Sequence, residues 1–314
     1  MILDFIQWHK TGYLITAMLS VVIHAQAQDL DPRAYARVPV GATTTALGFS
    51  FSKGGVVTDP SVPLQDLRAT VYLPSLALAH SFRFFGMTSQ AMVAMPYSWA
   101  NGSATVNGVR ETTSRSGFAD LRMRFSVLFL GAPAATAAEM VKAPRKTVLG
   151  ASINLIAPSG QYFPDKLINI GTNRWSFRPE LAISQPMGKR WLIDIYGGVW
   201  LFTDNHSFFP GNSLRTQKPM TTFQAHLSYN INLRTWVAFD ATFYAGGQSS
   251  VNEVVRDDRQ ENSRLGVTVV VPVKKYNSIK FAISRGAIVR IGQNFTTASI
   301  AWQRSWLTKP RQKK

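Results

Sequence analysis

Apolar and polar residues alternate along much of this chain, and a period of two predicts β-strands. The clearest example begins at Arg174: Arg174, Arg178 and Glu180 fall on one side, and Trp175 and Phe177 fall on the other. A soluble sheet rarely sets bulky aromatic residues against charges in this way. The pattern is typical of a strand that separates lipid from a watery lumen.

Twelve segments show this alternation or a β-rich apolar character. Their predicted limits are 42–53, 70–82, 89–97, 116–130, 146–157, 174–185, 191–202, 220–231, 235–246, 262–273, 278–287 and 295–306. Each is close to the ~10 residues that a tilted strand needs to cross a bilayer. The sequence therefore predicts an all-β fold, a transmembrane antiparallel up-and-down β-barrel of about 12 strands.

The connections between these segments differ in length on the two sides of the predicted membrane. Those after even-numbered strands are mostly short, at 83–87, 186–190, 232–234 and 274–277. Those after odd-numbered strands are mostly long and polar, at 54–69, 98–115, 158–173, 203–219 and 247–261. Short turns on one side and long loops on the other are typical of outer-membrane barrels. Two connections fit less well: 131–145 is long and alanine-rich, with room for a short helix, and 288–294 is short.

Tryptophans cluster near the predicted strand ends. This placement predicts two aromatic girdles at the membrane interfaces, where indole rings prefer to lie. The predicted girdle residues are Trp99, Trp175 and Trp200 at the long-loop rim, and Trp191, Trp236 and Trp306 at the short-turn rim.

The alternation also separates lipid-facing from lumen-facing residues. The predicted lipid face includes Leu47, Phe49, Phe51, Phe125, Val127, Phe129, Leu149, Ile153, Leu155, Val237, Phe239 and Phe243. The predicted channel-lining residues are Arg122, Arg124, Arg174, Arg178, Glu180, Asp194, Tyr196, Asp240, Tyr244 and Arg264. Arginines beside a few carboxylates can bind a carboxylate-bearing solute or set the selectivity of a pore. The alternative is that these charges only neutralise one another and brace the barrel.

The composition is basic and lacks cysteine. Lys and Arg number 34 against 17 Asp and Glu, a formal charge of +17. This balance indicates polyanionic surroundings such as lipopolysaccharide phosphates or anionic solutes. The bases are scattered rather than gathered in a nucleic-acid-binding motif, which argues against nucleic acid as a partner. Without cysteine, disulfides and thiolate chemistry are excluded.

No residue pattern indicates a metal, a cofactor or a catalytic site. The histidines at 80, 206 and 226 lack metal-ligand spacing. Twelve-stranded outer-membrane phospholipases use Ser, His and Asn, and here His226 and Ser228 lie two apart on one strand. Both are predicted to point inward, whereas a lipid hydrolase needs its catalytic residues at the lipid-facing surface. We therefore expect the protein not to be an enzyme.

The chain divides into four parts. Residues 1–27 read as a signal peptide, since an apolar run follows Lys10 and Ala25-Gln26-Ala27 offers a cleavage site. Residues 28–41 are predicted as an N-terminal periplasmic segment, 42–306 as the outer-membrane barrel, and 307–314 as a basic C-terminal tail.

Gly117, Asp120 and Arg124 form a Gly-x-x-Asp-x-x-x-Arg motif, and further distinctive segments lie at residues 32–35, 39–41, 165–177, 196–200 and 256–266. These segments resemble a known family, the outer-membrane transporters described as belonging to a MetA pathway of phenol degradation. The resemblance spans essentially the whole mature chain and implies an outer-membrane barrel linked to aromatic catabolism. It implies no particular substrate and no catalytic residues. The basic extension after Trp306 departs from the aromatic end that the assembly machinery usually reads.

Together these patterns predict a passive channel in the outer membrane of a Gram-negative cell, for small solutes of aromatic or anionic character. The expected partners are outer-membrane lipid and lipopolysaccharide, the barrel assembly machinery and a small-molecule solute. Two alternatives stay open: a structural or adhesive barrel with a plugged lumen, and an outer-membrane lipid hydrolase.

Overall fold

The structure of the protein is a computed structural model. It describes residues 30–57, 64–106, 108–232, 234–274 and 276–308. The predicted signal peptide lies outside the described residues, and so does the basic tail beyond residue 308.

The described chain is built from strands and one short helix. The strands are β1 (Ala42–Val57), β2 (Leu64–Phe84), β3 (Met87–Val106), β4 (Val109–Phe118), β5 (Arg122–Pro133), β6 (Val148–Ile156), β7 (Ser176–Met187), β8 (Trp191–Phe202), β9 (Asn205–Phe208), β10 (Ser213–Gln217), β11 (Met220–Asn230), β12 (Trp236–Gly246), β13 (Ser249–Val251), β14 (Val254–Val255), β15 (Gln260–Lys274), β16 (Asn277–Val289) and β17 (Gly292–Leu307). The helix is α1 (Ala137–Lys142).

The large sheet closes on itself as an antiparallel barrel. Its order is β2-β1-β17-β16-β15-β12-β11-β8-β7-β6-β5-β3, and the pairing of β2 with β3 completes the circle. β4 and β5 act as one wall strand in two pieces, because both pair with β3 and only residues 119–121 separate them. The predicted fold, an all-β antiparallel barrel of twelve strands, is confirmed.

The first two long-loop connections are mostly strand, which corrects the predicted polar loops at 54–69 and 98–115. β2 and β3 run for 21 and 20 residues and extend well past the predicted limits. The physical reason is an apolar cluster on their inner face, which includes Val56, Leu67, Val71 and Phe295. Burial of these side chains stabilises the extended strands beyond the wall of the barrel.

The remaining long connections lie at the same end of the barrel. Residues 157–175 contain no helix or strand. The connections at 203–219 and 247–261 contribute a separate four-stranded sheet in the order β14-β13-β10-β9. This end of the molecule is therefore covered by ordered structure.

At the opposite end, α1 forms within the alanine-rich connection where room for a helix was noted. Thr136 caps it: its hydroxyl accepts from the Glu139 amide at 3.4 Å, and the Glu139 carboxylate accepts from the Thr136 amide at 2.7 Å. This reciprocal capping box satisfies donors that the first turn leaves open. Among the described residues, no helix has the length and apolar character needed to cross a membrane.

The alternation along each strand separates two faces. Leu47, Phe49, Phe239 and Phe243 are 43–53% exposed on the outer face. The inner face buries polar residues, so the barrel contains a polar lumen rather than an apolar core.

Candidate functional site: the barrel lumen

The inward-facing side chains divide the lumen wall into two halves. From β5 to β15 they are large and polar or charged, and include Arg122, Arg124, Arg178, Glu180, Asp194, Tyr196, Gln224, His226, Asp240, Tyr244 and Arg264. From β16 through β17 and β1 to β3 many are small, including Ala282, Ser299, Ala301, Gly48, Ser50, Ser75, Ala77 and Ala94. A cavity of about 400 Å³ lies inside the barrel, lined by residues from both halves.

The chain's own N-terminal segment, residues 30–36, lies in the lumen. Its backbone contacts β8, where the amide of Arg33 donates to Oδ2 of Asp194 at 3.3 Å and the amide of Ala34 donates to the Tyr196 hydroxyl at 3.2 Å. Nη2 of Arg33 donates to Oδ1 of Asn230 at 2.8 Å. We predicted a separate periplasmic segment at 28–41; the part from residue 30 to 36 contacts the inner wall of the barrel.

Tyr35 is the most deeply placed residue of this segment and is fully buried. Its hydroxyl lies 2.7 Å from Oγ of Ser152 and donates to Oε1 of Glu180 at 2.9 Å. The ring packs 4.9 Å from the ring of Tyr196. Space for the ring exists because residue 150 is glycine: a Cβ there would lie 2.5 Å from Cδ1 of Tyr35.

Asp31 and Leu30 fix the beginning of the segment. The Asp31 carboxylate pairs with Nη1 of Arg124 at 3.4 Å and with Nζ of Lys280 at 3.3 Å. Leu30 packs so closely on Gly266 that a Cβ at that glycine would overlap it. The segment therefore bridges the large-residue half of the wall and Lys280 on β16.

Arg124, Glu180 and Arg178 form the central charge cluster. Arg124 lies 3.7 Å from Oε1 of Glu180, and its guanidinium lies over the Tyr35 ring at 4.6 Å. Arg178 lies 3.5 Å from Oε2 of Glu180 and over the Trp200 ring at 5.0 Å. The two arginines share the Glu180 carboxylate, and each also packs on its own aromatic ring. These contacts hold both guanidinium groups against the wall.

A second polar cluster lies on β11, β12 and β15. Nδ1 of His226 is 2.7 Å from Oδ1 of Asp240, and the Thr268 hydroxyl donates to Oδ2 of Asp240 at 2.6 Å. All three residues are buried. Asp240 and Asp194 are both predicted lining residues, and they contact His226, Thr268 and the N-terminal segment.

Arg174 lies at the long-loop rim, 3% exposed, and donates to the side-chain amide oxygen of Gln217. Its guanidinium also stacks on Phe202 at 4.5 Å. Burial, together with the nearby positive charge of Arg215, lowers the pKa of Arg174 well below its usual value. The structure therefore places Arg174 in the packing of the outer loops, apart from the cluster around Glu180.

Asp120 fastens the loop of residues 157–175 where the wall strand is interrupted. Its carboxylate accepts from the Gly160 amide at 2.9 Å. It also accepts from the amide and the hydroxyl of Thr172, at 2.8 and 2.6 Å. The Gly-x-x-Asp pattern thus has a structural reason, since three donors from one loop converge on one carboxylate.

Four of the predicted girdle tryptophans lie on the outer face. Trp99, Trp175, Trp191 and Trp306 are 40–47% exposed. Trp302, which was not predicted for the girdle, is also exposed at 40% and faces outward on β17.

Trp200 and Trp236 correct the girdle prediction, because both lie on the inner side of the wall. Trp200 is 8% exposed and stacks under Arg178. Trp236 shares a face with buried Asp240, and the guanidinium of Arg33 lies over its ring at 4.5 Å. Each indole is held by an arginine of the lumen rather than by lipid.

These observations define the class of protein: an outer-membrane β-barrel with a polar lumen narrowed by the N-terminal segment. The structure is similar to that of an outer membrane channel from Pseudomonas putida F1, with 22% sequence identity and a TM-score of 0.75 over 88% of this chain and 100% of that one. It is also similar to the transport unit of the autotransporter AIDA-I from Escherichia coli, with 8% identity and a TM-score of 0.53 over 95% of this chain and 98% of that one. The β domain of the Bordetella autotransporter BrkA gives 11% identity and a TM-score of 0.52 over 85% of this chain and 100% of that one. These likenesses show the fold.

The family follows from the sequence. The model of the family described as "Putative MetA-pathway of phenol degradation" matches residues 39–304, and the chain belongs to this family. No curated protein matches the sequence.

Proposed function

We propose that the protein conducts small solutes passively across the outer membrane, along the small-residue half of its lumen. The observation that carries this proposal is the cavity of about 400 Å³ that remains beside the N-terminal segment. An apolar cavity of ~150 Å³ is enough to hold benzene. The remaining space is therefore large enough for a small aromatic molecule.

The lining favours solutes with an apolar ring and a polar or anionic group. Leu73, Met92 and Pro96 give one side of the cavity an apolar surface, while Arg122 and Lys280 line it elsewhere. A phenol or an aromatic carboxylate could keep its ring on the apolar side and its oxygen near a cation. The family description, which names phenol degradation, agrees with this class.

The lumen arginines have two candidate roles, bracing the barrel and favouring anions, and we assign the two roles to different residues. Arg124 contacts Asp31, Glu180 and Tyr35, so its charge braces the wall and the N-terminal segment. Arg122 and Arg124 both line the cavity, and Arg122 lies two residues nearer the long-loop end of β5, so we assign the anion preference to Arg122. Arg122→Gln should shift the reversal potential in a salt gradient toward cations. Arg124→Gln should mainly change how often the pore opens; unchanged reversal potentials in Arg122→Gln would refute the selectivity assignment.

The main experiment is ion conductance in planar bilayers, titrated with phenols and aromatic acids and compared with swelling of liposomes. We expect small conductance steps that aromatic acids interrupt transiently, because a solute in the cavity excludes ions. Cyclohexanol is the matched solute without an aromatic ring. A purified, heat-modifiable barrel with neither conductance nor swelling would favour the structural or adhesive barrel instead.

We assign no catalytic residue. His226 and Ser228, the pair considered for a lipid hydrolase, are buried on the inner face of β11 and point away from lipid. The purified protein should therefore release no fatty acid from phospholipid vesicles. Release that disappears in His226→Ala would overturn this part of the proposal.

A further inference from the structure

A basic, hydroxyl-rich surface lies on the outer side of the extended strands, at the long-loop end. We call it the outer basic surface, and it comprises Lys53, Thr70, Asn101, Ser114, Arg68, Ser103, Thr112, Arg110, Thr296 and Arg285. Strand alternation places it on the same face as the lipid-exposed residues. Lys53 follows Phe51 and Phe49 on β1, and Arg68 precedes Tyr72 on β2 by four residues.

The strand pairing sets these residues in two neighbouring rows. The row nearer the membrane runs Arg285, Thr296, Lys53, Thr70, Asn101 and Ser114 across six strands, counting β4. In the next row Arg68 lies opposite Gly55 and Ser103, and Nη2 of Arg110 donates to Oγ of Ser103 at 2.6 Å. Lys53 and Arg68 are diagonal neighbours, roughly 7–8 Å apart at Cα. Their flexible side chains can therefore reach one anionic group together.

The residues between and above these cations form a shallow concavity of about 630 Å³. Among the described residues, its lining includes Lys53, Arg68, Asn101 and Ser103 and contains no carboxylate. The acidic side chain of Glu111 points away, since Glu111 pairs with Ala104, which is buried on the inner face. Asp66 lies where the register between β2 and β3 shifts, next to the concavity rather than in its lining. Cations with hydroxyl and amide donors suit phosphate.

The position of this surface relative to the membrane indicates which kind of phosphate compound it contacts. One step toward the membrane lies an aromatic row of Phe51, Tyr72 and Trp99, paired side by side. Aromatic rings of this kind mark the membrane interface. Two residues along a strand span about 6.6 Å, so the cations lie just outside that interface, at the level of lipid headgroups.

We propose that the outer basic surface binds the phosphate groups of the lipid anchor of lipopolysaccharide, while the aromatic row contacts its acyl chains. A free phosphate is a poorer occupant, because exposed cations hold a lone anion weakly. A lipid whose acyl chains already lie against the barrel presents its phosphate at a high effective concentration. The proposal concerns the outer wall and is independent of conduction through the lumen.

The test is native mass spectrometry of the full-length barrel with bisphosphorylated lipid A, dephosphorylated lipid A and inorganic phosphate as probes. The main variant is Lys53→Gln/Arg68→Gln/Arg285→Gln, and Lys189→Gln in a short turn at the opposite end is the matched control. Each basic residue near an anionic lipid surface contributes about fivefold in affinity. We expect the triple variant to bind bisphosphorylated lipid A roughly a hundredfold more weakly, with Lys189→Gln unchanged.

Dephosphorylated lipid A should bind weakly and equally to the wild type and the triple variant. If the triple variant loses its heat-modifiable form, Lys53→Gln alone should still show the fivefold loss. Equal binding of phosphorylated and dephosphorylated lipid A would overturn the proposal, as would wild-type affinity in the folded variants. Inorganic phosphate bound as tightly as lipid A would overturn the assignment to a lipid.

Discussion

Substitution of Tyr35 should open the lumen by releasing the N-terminal segment. The tyrosine is fully buried, and its hydroxyl bonds Ser152 and the Glu180 carboxylate. Hydrogen bonds to charged groups contribute about 1.5–3 kcal/mol. Since 1.4 kcal/mol is a factor of ten, Tyr35→Phe should raise the displaced fraction of the segment by roughly tenfold to a hundredfold.

Tyr35→Ala should have a larger effect, because it also removes the buried ring. Loss of a buried aromatic side chain costs about 3–5 kcal/mol, so the displaced fraction should rise by at least about a hundredfold. Gly150→Ala should act in the same direction by a different route, since its Cβ would lie 2.5 Å from Cδ1 of Tyr35. That clash needs the tyrosine, so adding Gly150→Ala to Tyr35→Ala should change little further.

The assay is single-channel recording in planar bilayers, with the frequency and lifetime of a high-conductance state as readout. Tyr72→Phe, on the outer face, is the matched control and should behave like the wild type. Two results would refute the reasoning. One is an unchanged opening frequency in Tyr35→Ala; the other is a full additional effect of Gly150→Ala in the absence of Tyr35.

Three further predictions concern the wall. Ala94→Phe should reduce conductance by filling the small-residue half of the lumen, whereas Ala91→Phe on the outer face of the same strand should not. Asp240→Asn should lower the free energy of unfolding by about 1–3 kcal/mol in a urea titration in lipid vesicles. An amide has one acceptor oxygen where the carboxylate has two, so it loses the contact with either His226 or Thr268; a loss under 1 kcal/mol would contradict this. Asp120→Asn should cost about 1–3 kcal/mol locally and speed proteolysis within residues 157–175, since the carboxylate holds three donors of that loop. Cleavage at the wild-type rate would show that other contacts fix the loop.

The period of two was enough to predict the barrel. Each wall strand has lipid on one side and polar groups on the other, so its apolar and polar residues must alternate. Arg178, Glu180 and Asp194 were assigned inward on this basis, and the structure buries them there. The partners of Asp194 and Asp240 could not be predicted, since they depend on the register between neighbouring strands and on the position of the N-terminal segment. Asp240, for example, meets His226 on the neighbouring strand rather than an arginine.

Trp200 and Trp236 were assigned to the girdle because tryptophan is common at membrane interfaces, although the alternation of the strand placed them on the inner face. Both lie near strand ends, as girdle residues do, but their place in the alternation is with the inward-facing residues. The position of the N-terminal segment inside the lumen was not predicted, because residues 30–36 have no periodicity of their own. A signal for it existed in the wall: Gly150 and Gly266 are glycines at inward positions, where a side chain would overlap Tyr35 or Leu30.

The contacts of the N-terminal segment with the inner wall constrain the order in which the protein assembles. Asp31 bonds Lys280, 249 positions later, and Tyr35 bonds residues 117 and 145 positions later. The Asp31–Lys280 contact cannot form until β16 has joined the sheet. Residues 30–36 therefore complete their contacts late, although they come before every wall strand in the sequence. The N-terminal segment therefore narrows the lumen only after most of the barrel wall has assembled.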